Sequence, residues 1–359
     1  MRVGILTSRV DGAAPFNRQT SLFKRMLKTG SELGVTVYVF DSRDVNWVAK
    51  KVYGYTFTAG RWVRRQYPLP DVVYDRTFGL NFASTDMARR RLTSSFGVKL
   101  FNTHLGGKMR MYNLMRADAL LCAHLPATHR VCGAPSVAKA LAVNGSAYLK
   151  PETGAQGKGL INLRRSANGV SYTFVAPGYK NIGEQAAGVA AALSILRSHV
   201  NLSSYLVQPD IRLLRTHGGI CDVRALVQRG GDGAWSLTGA AVRVGRPGQI
   251  ISNLHGGGRA LRLDTLLGAA FSDAATVATI TQRIEELALR VGDVLARSTR
   301  CLGELGVDLG VDKTGKIWII EANSRTGRSI FRRVGMDIAA HEADTQPFRF
   351  AMYLCGHNA

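Results

Sequence analysis

The amino-acid sequence predicts an α/β protein whose C-terminal lobe has α+β character. Three observations support this fold class. Short apolar strands alternate with amphipathic helices up to about residue 105, a long amphipathic helix covers 280–294, and a β-hairpin covers 306–322. Strand–helix–strand alternation indicates a largely parallel sheet with helices packed on its faces. A chain of 359 residues is long enough for two or three globular lobes.

The first lobe, residues 1–105, is predicted to be a doubly wound α/β domain. Its strands are short runs rich in β-branched and aromatic residues, and its helices carry apolar residues three and four positions apart. The strands are expected at 3–7, 35–40, 70–74 and 98–101. The helices are expected at 18–33, after the first strand, and at 84–95, after the third. Glycines follow the first helix, as expected at a helix C-terminus.

Two further lobes are predicted at 106–205 and 206–359. The expected helices lie at 108–119, 135–143, 184–198 and 280–294, and the expected strands at 147–150, 205–208, 223–227, 306–311 and 316–322. The last helix is the clearest, because apolar residues recur along it at spacings of four and three. The final two strands are joined through Asp312-Lys313-Thr314-Gly315, a strong turn signal.

The amino-acid composition indicates which classes of molecule the protein could bind. Lysine and arginine number 47 against 25 acidic residues, for a net charge of +22, which attracts polyanions and anionic small molecules. The basic residues are dispersed, and the aromatic residues (8%) do not interleave with them as a base-stacking surface requires. No helix-turn-helix, zinc-finger or RNA-binding signature occurs. We therefore expect no specific nucleic-acid partner.

The cysteine spacing and the hydropathy of the sequence argue against a zinc-binding, disulfide-rich or membrane-spanning protein. The five cysteines are scattered without a CxxC pair, so neither a zinc site nor a disulfide framework is indicated. No apolar run reaches the eighteen or so residues of a membrane helix, and the N-terminus lacks the features of a signal peptide. The sequence thus predicts a cytoplasmic protein with no membrane segment, and a homodimer is possible.

A glycine-rich segment, 150–159, is the first candidate for chemistry. It reads Lys-Pro-Glu-Thr-Gly-Ala-Gln-Gly-Lys-Gly. Its glycines allow the backbone to approach a ligand and to aim N–H groups at phosphate oxygens, and Lys150 and Lys158 add positive charge. It is not a P-loop, because Lys158 is followed by glycine where a magnesium-binding Ser or Thr is required. An ordinary hairpin turn is the alternative.

The acidic end of the last hairpin is the second candidate. Glu321 and Asn323 are two residues apart and project from one face of a strand. If Lys313-Thr314 is a two-residue turn, Asp308 pairs opposite Ile319 and lies on that same face. Two carboxylates and an amide oxygen suit Mg²⁺, which is commonly bound with substrate phosphates. A hairpin with polar residues facing solvent is the alternative.

Two arginine-bearing strands form the third candidate. Arg224 in Asp222-Val223-Arg224 and Arg243 in 240–244 are suited to bidentate binding of phosphate or carboxylate. The segment 252–258, Ser-Asn-Leu-His-Gly-Gly-Gly, follows. His255 within it is either a general base or an ordinary loop residue.

Together and in this order, these segments resemble the ATP-grasp superfamily. Lys150 and the loop to Gly159 look like its second ATP lysine and its flexible phosphate-covering loop. Lys108 stands where the first nucleotide-binding lysine is expected. Residues 206–211, Leu-Val-Gln-Pro-Asp-Ile, are similar to the hinge strand whose backbone contacts adenine. Gly306-Val307-Asp308 and Ile320-Glu321-Ala322-Asn323 resemble the metal-binding strands.

Two branches of the superfamily look closest. The segments 222–224 and 252–257 resemble RimK-type glutamate ligases. The whole-chain layout resembles the YheC/YheD-type, spore-coat-associated ATP-grasp proteins, through 60–63, 68–74, 125–128 and 321–328. The resemblance implies an ATP-grasp fold with an N-terminal pre-ATP-grasp domain. Thr326 departs from the pattern, because many relatives carry proline there; we expect it to touch no proposed ligand.

The resemblance also implies an activity and a site. The activity is that of an ATP-dependent carboxylate–amine ligase acting through an acylphosphate, on an amino acid or a peptide. The cofactors are ATP and Mg²⁺, with Mn²⁺ as a substitute. The implied metal ligands are Asp308, Glu321 and Asn323. The implied catalytic residues are Arg243, Arg224 and Asn253. The implied nucleotide-binding residues are Lys108, Lys150, Glu152, Gly154, Gln156, Gly157, Lys158, Gly159, Gln208, Pro209, Asp210 and Ile211.

Alternatives remain open at this point. An ATP-grasp kinase of an anionic small molecule also explains the positive charge, and a catalytically inactive coat scaffold needs only the fold. Within the acceptor pocket, Arg224, Arg325 and Arg328 are candidates for gripping carboxylates, while structural salt bridges explain arginines equally well.

Overall fold

Three β-sheets, each covered by helices, make up the described part of the chain. The computed structural model describes residues 1–10, 15–16, 19–78, 82–154, 157–176, 181–252, 254, 257–299 and 301–357. The predicted mixed α/β class is confirmed. No helix within these ranges is both long enough and apolar enough to cross a bilayer.

The first sheet has a parallel centre, as the strand–helix alternation predicts. Its elements are β1 (Arg2–Leu6), α1 (Thr20–Glu32), β2 (Thr36–Phe40), β3 (Val45–Asn46), β4 (Lys51–Thr58), β5 (Arg61–Pro68), β6 (Val72–Asp75), α2 (Phe82–Phe96) and β7 (Lys99–Phe101). The strand order is β3-β4-β2-β1-β6-β7, with parallel pairing from β2 through β7. Helix α1 packs on one face and Leu92 of α2 on the other, so the sheet is doubly wound.

The second sheet is antiparallel and carries the glycine-rich turn. Its region comprises α3 (Lys108–Arg116), α4 (Ala119–Cys122), β8 (His129–Arg130), α5 (Ala134–Asn144), β9 (Ser146–Pro151), β10 (Ile161–Ser166), β11 (Gly169–Val175), β12 (Asn181–Ala186), α6 (Val189–Leu196) and β13 (Tyr205–Pro209). The order is β12-β11-β10-β9-β13-β8. The glycine-rich turn connects β9 and β10, two interior strands of this sheet, and Gly157 within it lies next to Ile251, which follows β16 of the third sheet.

The third sheet carries the two arginine strands and the acidic hairpin. Its region comprises β14 (Arg215–Thr216), β15 (Gly219–Arg229), β16 (Trp235–Val244), β17 (Arg259–Arg262), α7 (Leu263–Ala270), α8 (Ala274–Ala296), β18 (Glu304–Val311), β19 (Ile317–Asn323), α9 (Ser329–Arg333) and α10 (Asp337–Leu354). The order β17-β16-β15-β18-β19 places β15 between β16 and β18. The amphipathic helix α8 buries its apolar stripe on this sheet.

A buried ion network joins the first and third sheets. The carboxylate of Glu304, fully buried on β18, accepts hydrogen bonds from Arg76 Nη1 (2.9 Å), Tyr74 Oη (2.7 Å), Arg328 Nη2 (2.5 Å) and Gln228 Nε2 (2.7 Å). Burial raises the pKa of Tyr74 to about 12, so it donates as a neutral phenol. Since Tyr74 and Arg76 belong to the N-terminal lobe, the network fixes that lobe against the third sheet.

The last helix reinforces this arrangement. Phe348 and Phe350 of α10 lie in the core of the first sheet, whereas Ala339 and Ala343 pack against the third. The predicted lobe boundaries at 105/106 and 205/206 stay a prediction. The second of them falls at the start of β13, which pairs within the second sheet.

Two local predictions are wrong, and one hairpin has no counterpart among the predictions. The helix expected at 184–198 begins only at Val189, because 181–186 pairs with β11 along its whole length as strand β12. The helix expected at 108–119 is two helices, since Asp118 caps the second one by accepting from Leu121 N. The antiparallel hairpin of β4 and β5, which extends the first sheet, was not expected.

Candidate functional site

A cavity of about 1150 Å³ lies between the second and third sheets and reaches the carboxyl ends of β1 and β6. It receives side chains from the glycine-rich turn, β13, β15, β16, β18 and β19. Lysine and arginine outnumber aspartate and glutamate fifteen to four among the described residues that line it. Such a concentration of positive charge attracts a polyanion.

The acidic hairpin lines this cavity, in a register that differs from the predicted one. Asp308 pairs directly opposite Glu321, not opposite Ile319. The loop is one residue longer than expected, because Asp312 N bonds Lys316 O, and a bulge after Asp308 adds a second residue. Side chains alternate along a strand, so a shift of two leaves the face unchanged.

Four charged side chains alternate in sign across the floor of the cavity. Arg243 on β16 bonds Asp222 on β15 (Nε–Oδ1 2.6 Å) and Asp308 on β18 (Nη2–Oδ2 2.9 Å). Arg224, between them on β15, binds Asp308 in a bidentate manner (2.6 and 3.1 Å). Ser252 donates a short hydrogen bond to Asp222. We call Asp222–Arg243–Asp308–Arg224 the ion chain.

Charge and burial oppose each other in the ion chain. Burial by itself raises the pKa of the Asp308 carboxyl, but Arg224 and Arg243 outweigh it and hold that pKa below its usual value. Burial likewise lowers the pKa of Arg243, and the carboxylates of Asp222 and Asp308 more than reverse the effect. Asp308 and Arg243 therefore hold each other in the ionised form.

Two lysines face Glu321 from the second lobe. Lys108, at the start of α3, donates to Gly154 O (2.9 Å) and lies 3.4 Å from Glu321 Oε1. Lys150, on β9, is buried more deeply. Burial, with a further contribution from Lys108, lowers the pKa of Lys150 to about 8, although Glu321 acts in the opposite direction. Both lysines line the cavity.

The glycine-rich turn covers part of the same cavity. Gly154 and Gly157 have positive φ (122° and 70°), a conformation that favours glycine, and Lys158 is exposed beside them. All three line the cavity. Gln156, which the sequence assigns to nucleotide binding, lies outside the described residues, as do Asn253 and His255.

Two residues assigned to the nucleotide by sequence do not line the cavity. The carboxylate of Glu152 binds Arg130 in a bidentate manner (2.6 and 3.1 Å). Gly159 is the far end of the turn, and its carbonyl accepts from Tyr205 Oη (3.0 Å). In this structure both residues support the turn and neither faces the cavity.

The expected adenine segment lines the cavity next to β9. The side chain of Gln208 donates to Thr128 Oγ1 (2.6 Å) and is buried, so it fixes the strand. Pro209, Asp210 and Ile211 follow at the cavity wall, and burial raises the pKa of Asp210. Apolar side chains surround this stretch: Tyr148, Leu160, Leu213, Ile250, Ile251 and Ile320.

The other candidate arginines have different roles. Arg328 is buried, and it bonds Glu304 and Tyr74 within the ion network, so it is a structural residue. Arg325 bonds Asp75 (3.2 Å) and lines the cavity, and its Nε has no hydrogen-bond partner among the described residues. The Nε of Arg328 also lacks a partner among the described residues, but Arg328 is only 2% exposed, whereas Arg325 is half-buried and so the more accessible of the two to a ligand.

Sequence reasoning missed two contacts. Thr326 was expected to touch no proposed ligand, yet its Oγ1 accepts from Arg224 Nη1 (2.7 Å) and so positions that guanidinium. Asp222 was noted only as part of a motif. Asp222 lies two residues before Arg224 on one strand, so both side chains project from the same face. This spacing is the sequence signal that predicts Asp222 at the site.

The chemistry of the donor set fits Mg²⁺ accompanied by phosphate. Asp308, Glu321 and Asn323 offer two carboxylates and an amide oxygen, the hard donors that this ion prefers. Within the described ranges no group of three or more His, Cys, Asp or Glu side chains is arranged to hold a metal. Phosphate oxygens would have to complete the coordination sphere.

Known proteins are similar to this chain over most of its length. The endospore coat-associated protein YheD of Bacillus subtilis (strain 168) is 27% identical over 360 residues, covering 98% of this chain and 78% of YheD. Two solved structures share the fold. The ATP-grasp ligase PsnB, complexed with a minimal precursor, Mg and ADP, is 16% identical, with a TM-score of 0.53 and coverage of 97% and 96%. A RimK domain ATP-grasp protein from Sphaerobacter thermophilus is 17% identical, with a TM-score of 0.50 and coverage of 96% and 99%.

The match to a family model decides the assignment. Residues 97–354, well over half of the chain, match the family described as YheC/D-like ATP-grasp. This range contains the glycine-rich turn, both arginine strands and the acidic hairpin. The predicted ATP-grasp fold, with its YheC/YheD-like and RimK-like features, is confirmed, and the chain belongs to the YheC/YheD-like ATP-grasp family.

Proposed function

We propose that the protein is an ATP-dependent carboxylate–amine ligase that releases ADP and phosphate. The observation that carries the proposal is the convergence of Asp308 and Glu321 with Lys108 and Lys150 on one cavity. Two carboxylates among so many cations suit a metal-bound polyphosphate. The solved relatives of the same fold include a ligase whose complex holds Mg and ADP.

The nucleotide would lie between the second and third sheets. Tyr148, Ile211 and Ile320 provide apolar surface for the base, and Lys150 and Lys108 bind phosphate oxygens. Asp308, Glu321 and Asn323 would hold Mg²⁺, which when bound neutralises charge on the phosphates.

The chain's own groups then act by positioning and charge. Arg224 and Arg243 stabilise the phosphoryl group as a substrate carboxylate oxygen bonds to the γ-phosphorus and the bond to ADP breaks. An amine nitrogen next attacks the acyl carbon, loses a proton and expels phosphate, which leaves an amide. Gly154, Gly157 and Lys158, which line the cavity, would help to exclude water from the acylphosphate.

The finer expectations from the sequence belong to this proposal. They are an amino-acid or peptide substrate, Mn²⁺ in place of Mg²⁺, a cytoplasmic location and a homodimer. YheD is named for association with the endospore coat. A scaffold role is therefore the competing proposal, and it requires neither nucleotide binding nor turnover.

Calorimetry with Mg·ATP is the first test. Wild-type protein should bind it, and Glu321→Ala should weaken binding by about tenfold or more through loss of a charged ligand. Glu285→Ala is the matched control, because Glu285 is exposed on α8, away from the cavity. A folded wild type that gives no binding heat would refute the ligase and favour the scaffold.

Hydroxylamine distinguishes a ligase from a kinase. It attacks an acylphosphate to give a hydroxamate, whereas a phosphorylated hydroxyl group does not react. Mg·ATP, a panel of acidic peptides and hydroxylamine should therefore yield ADP and hydroxamate in equal amounts. ADP formed together with a stable phosphorylated compound would show that the enzyme is a kinase.

A further inference from the structure

The end of the cavity farthest from the base-binding segment lies at a topological switch point of the first sheet. The chain leaves β1 towards β2 on one side, and β6 leads to β7 on the other, so a crevice opens beyond the carboxyl ends of β1 and β6. Ser8 Oγ donates to Phe78 O (2.8 Å) and joins the two strand ends. Ser8, Gln19 and Phe78 all line the cavity here.

This crevice faces the ion chain. Arg76 Nη2 donates to Thr326 O (3.1 Å), and Thr326 in turn accepts from Arg224 through its side chain. Arg325 precedes Thr326 directly. A ligand that contacts Arg325 in the crevice would therefore lie next to Thr326, the residue whose side chain positions Arg224.

Three arginines line the crevice from three separate elements. Arg25 lies on α1, Arg325 follows β19, and Arg333 ends α9. The four carboxylates that line the cavity all lie in 210–321, and none belongs to the described part of the N-terminal lobe or to 324–333. The arginines of the crevice are thus separated from one another, and no carboxylate among the described residues that line the crevice neutralises them.

The counter-charges of these arginines are hidden from the cavity. Asp75 and Asp344 bind Arg325 and Arg25 from behind and are almost fully buried. Burial lowers the pKa of Arg325, and Arg89 adds to this against the opposing charge of Asp75. The side chain of Arg333 is exposed and makes no hydrogen bond or ion pair with any described residue. An anionic ligand would relieve this excess of positive charge.

Apolar surface lies between the arginines. Phe78 and Val10 are large hydrophobic residues that remain 46% and 43% exposed, and both line the crevice. The side chains of Phe16, Leu22 and Ile330 continue this surface. A cavity of about 1150 Å³ exceeds the roughly 300–1,000 Å³ typical of one small ligand.

We infer that, if the proposed ligase function holds, the carboxylate substrate is an acidic peptide. It carries at least two carboxylates beside an apolar side chain. One carboxylate reacts at the ion chain, Arg325 and Arg333 bind the second, and Phe78 and Val10 contact the apolar side chain. Charges placed at intervals with an apolar group between them describe a peptide better than a phosphate or a nucleic acid.

Direct peptide binding tests this inference without turnover. Fluorescently labelled Glu-Phe-Glu amide and its isosteric Gln-Phe-Gln counterpart are titrated by anisotropy, with and without Mg·AMPPNP. The acidic peptide should bind at least about tenfold more tightly, as charge-assisted hydrogen bonds to arginine require. Arg333→Gln should weaken its binding about three- to tenfold, and Arg325→Gln more than tenfold.

Arg90→Gln is the matched control, because Arg90 is exposed on α2 away from the cavity and carries the same charge. It should change the affinity less than twofold. Thermal melting confirms that each variant is folded, and Arg333→Gln, at an exposed position, decides the result if Arg325→Gln is unstable.

Three outcomes would overturn the inference: equal affinity for the two peptides, variants of Arg325 and Arg333 that behave like the control, or displacement of the peptide by Mg·ATP or by a single-stranded oligonucleotide. Calorimetry of Mg·ATP on the same samples separates this question from the proposed function. Peptide binding without nucleotide binding would refute the ligase, and nucleotide binding with no preference for the acidic peptide would refute only the substrate.

Discussion

Lys150 gives nucleotide affinity a distinctive dependence on pH. Its pKa is lowered from the ordinary value of 10.5 to about 8 by burial, so the free protein loses this positive charge just above neutrality. Phosphate oxygens favour the charged form and raise the pKa in the complex. Affinity should therefore be constant below pH 8 and fall about tenfold per pH unit above it, since one unit is worth about 1.4 kcal/mol.

Calorimetry between pH 7.5 and 9.5 at constant ionic strength measures this effect. If the pKa returns to its ordinary value in the complex, the dissociation constant of Mg·ATP at pH 9.5 should be about twentyfold higher than at pH 7.5. Lys150→Arg should show no such fall, because arginine stays protonated throughout. A flat wild-type profile, or an equal slope in the arginine variant, would refute the reasoning.

The stability of the nucleotide-free protein should change in the opposite direction. The folded state loses the Lys150 proton near pH 8, whereas the unfolded chain keeps it to about 10.5. Between these values the unfolded state binds more protons, so the free energy of unfolding rises with pH, by at most about 3 kcal/mol. Urea unfolding of the wild type against Lys150→Met isolates this contribution from other titrating groups.

Three further predictions concern the ion network, a close packing contact and the metal. Glu304→Gln should cost about 3–5 kcal/mol in urea unfolding, since it removes the charge partner of buried Arg76 and leaves buried Arg328 with only the more distant Asp344, while Glu285→Gln stays within about 0.5 kcal/mol. Gly306→Ala should lower stability by about 1–3 kcal/mol, because its Cβ would meet the side chain of Thr326, and an unchanged melting temperature would contradict this. Mg²⁺ titrated without nucleotide should give no binding heat at millimolar concentration, since both oxygens of Asp308 are already bonded to arginine; binding of the bare ion would contradict this account.

The acidic hairpin shows why the sequence could place Asp308 and Glu321 on one face despite a wrong register. The turn residues predicted a two-residue loop, and nothing local reveals the extra loop residue or the bulge beside Asp308. The two errors add to a shift of two residues. Because side chains alternate along a strand, a shift of two residues leaves Asp308 and Glu321 on the same face of the sheet. The alternation of a sequence therefore predicts the face of a residue more reliably than its cross-strand partner.

The extent of β12 and the roles of Arg325 and Arg328 could not be predicted from the sequence, because they depend on contacts between residues far apart in the chain. Residues 184–186 have no local reason to avoid the alanine-rich helix that follows; they are held in β12 by hydrogen bonds to β11. Arg328 and Arg325 look alike in the sequence, yet Arg328 bonds the buried Glu304, whereas Arg325 lines the cavity and bonds the buried Asp75 behind it. Their roles depend on partners more than twenty residues away.

The ion chain explains why the site is stable before any ligand binds. Arg243 is shared by Asp222 and Asp308, and Asp308 is shared by two arginines, so no charge on the buried floor lacks a partner. Arginine binds phosphate and carboxylate with the same bidentate geometry. A phosphate can therefore take an arginine from Asp308 only if that carboxylate gains another cation. Nucleotide alone would leave the buried carboxylate with one arginine fewer, and a divalent cation alone would meet a carboxylate whose two oxygens are already bonded. The two must bind together, and the positive coupling between them follows from the pairing of Asp308 in the free protein.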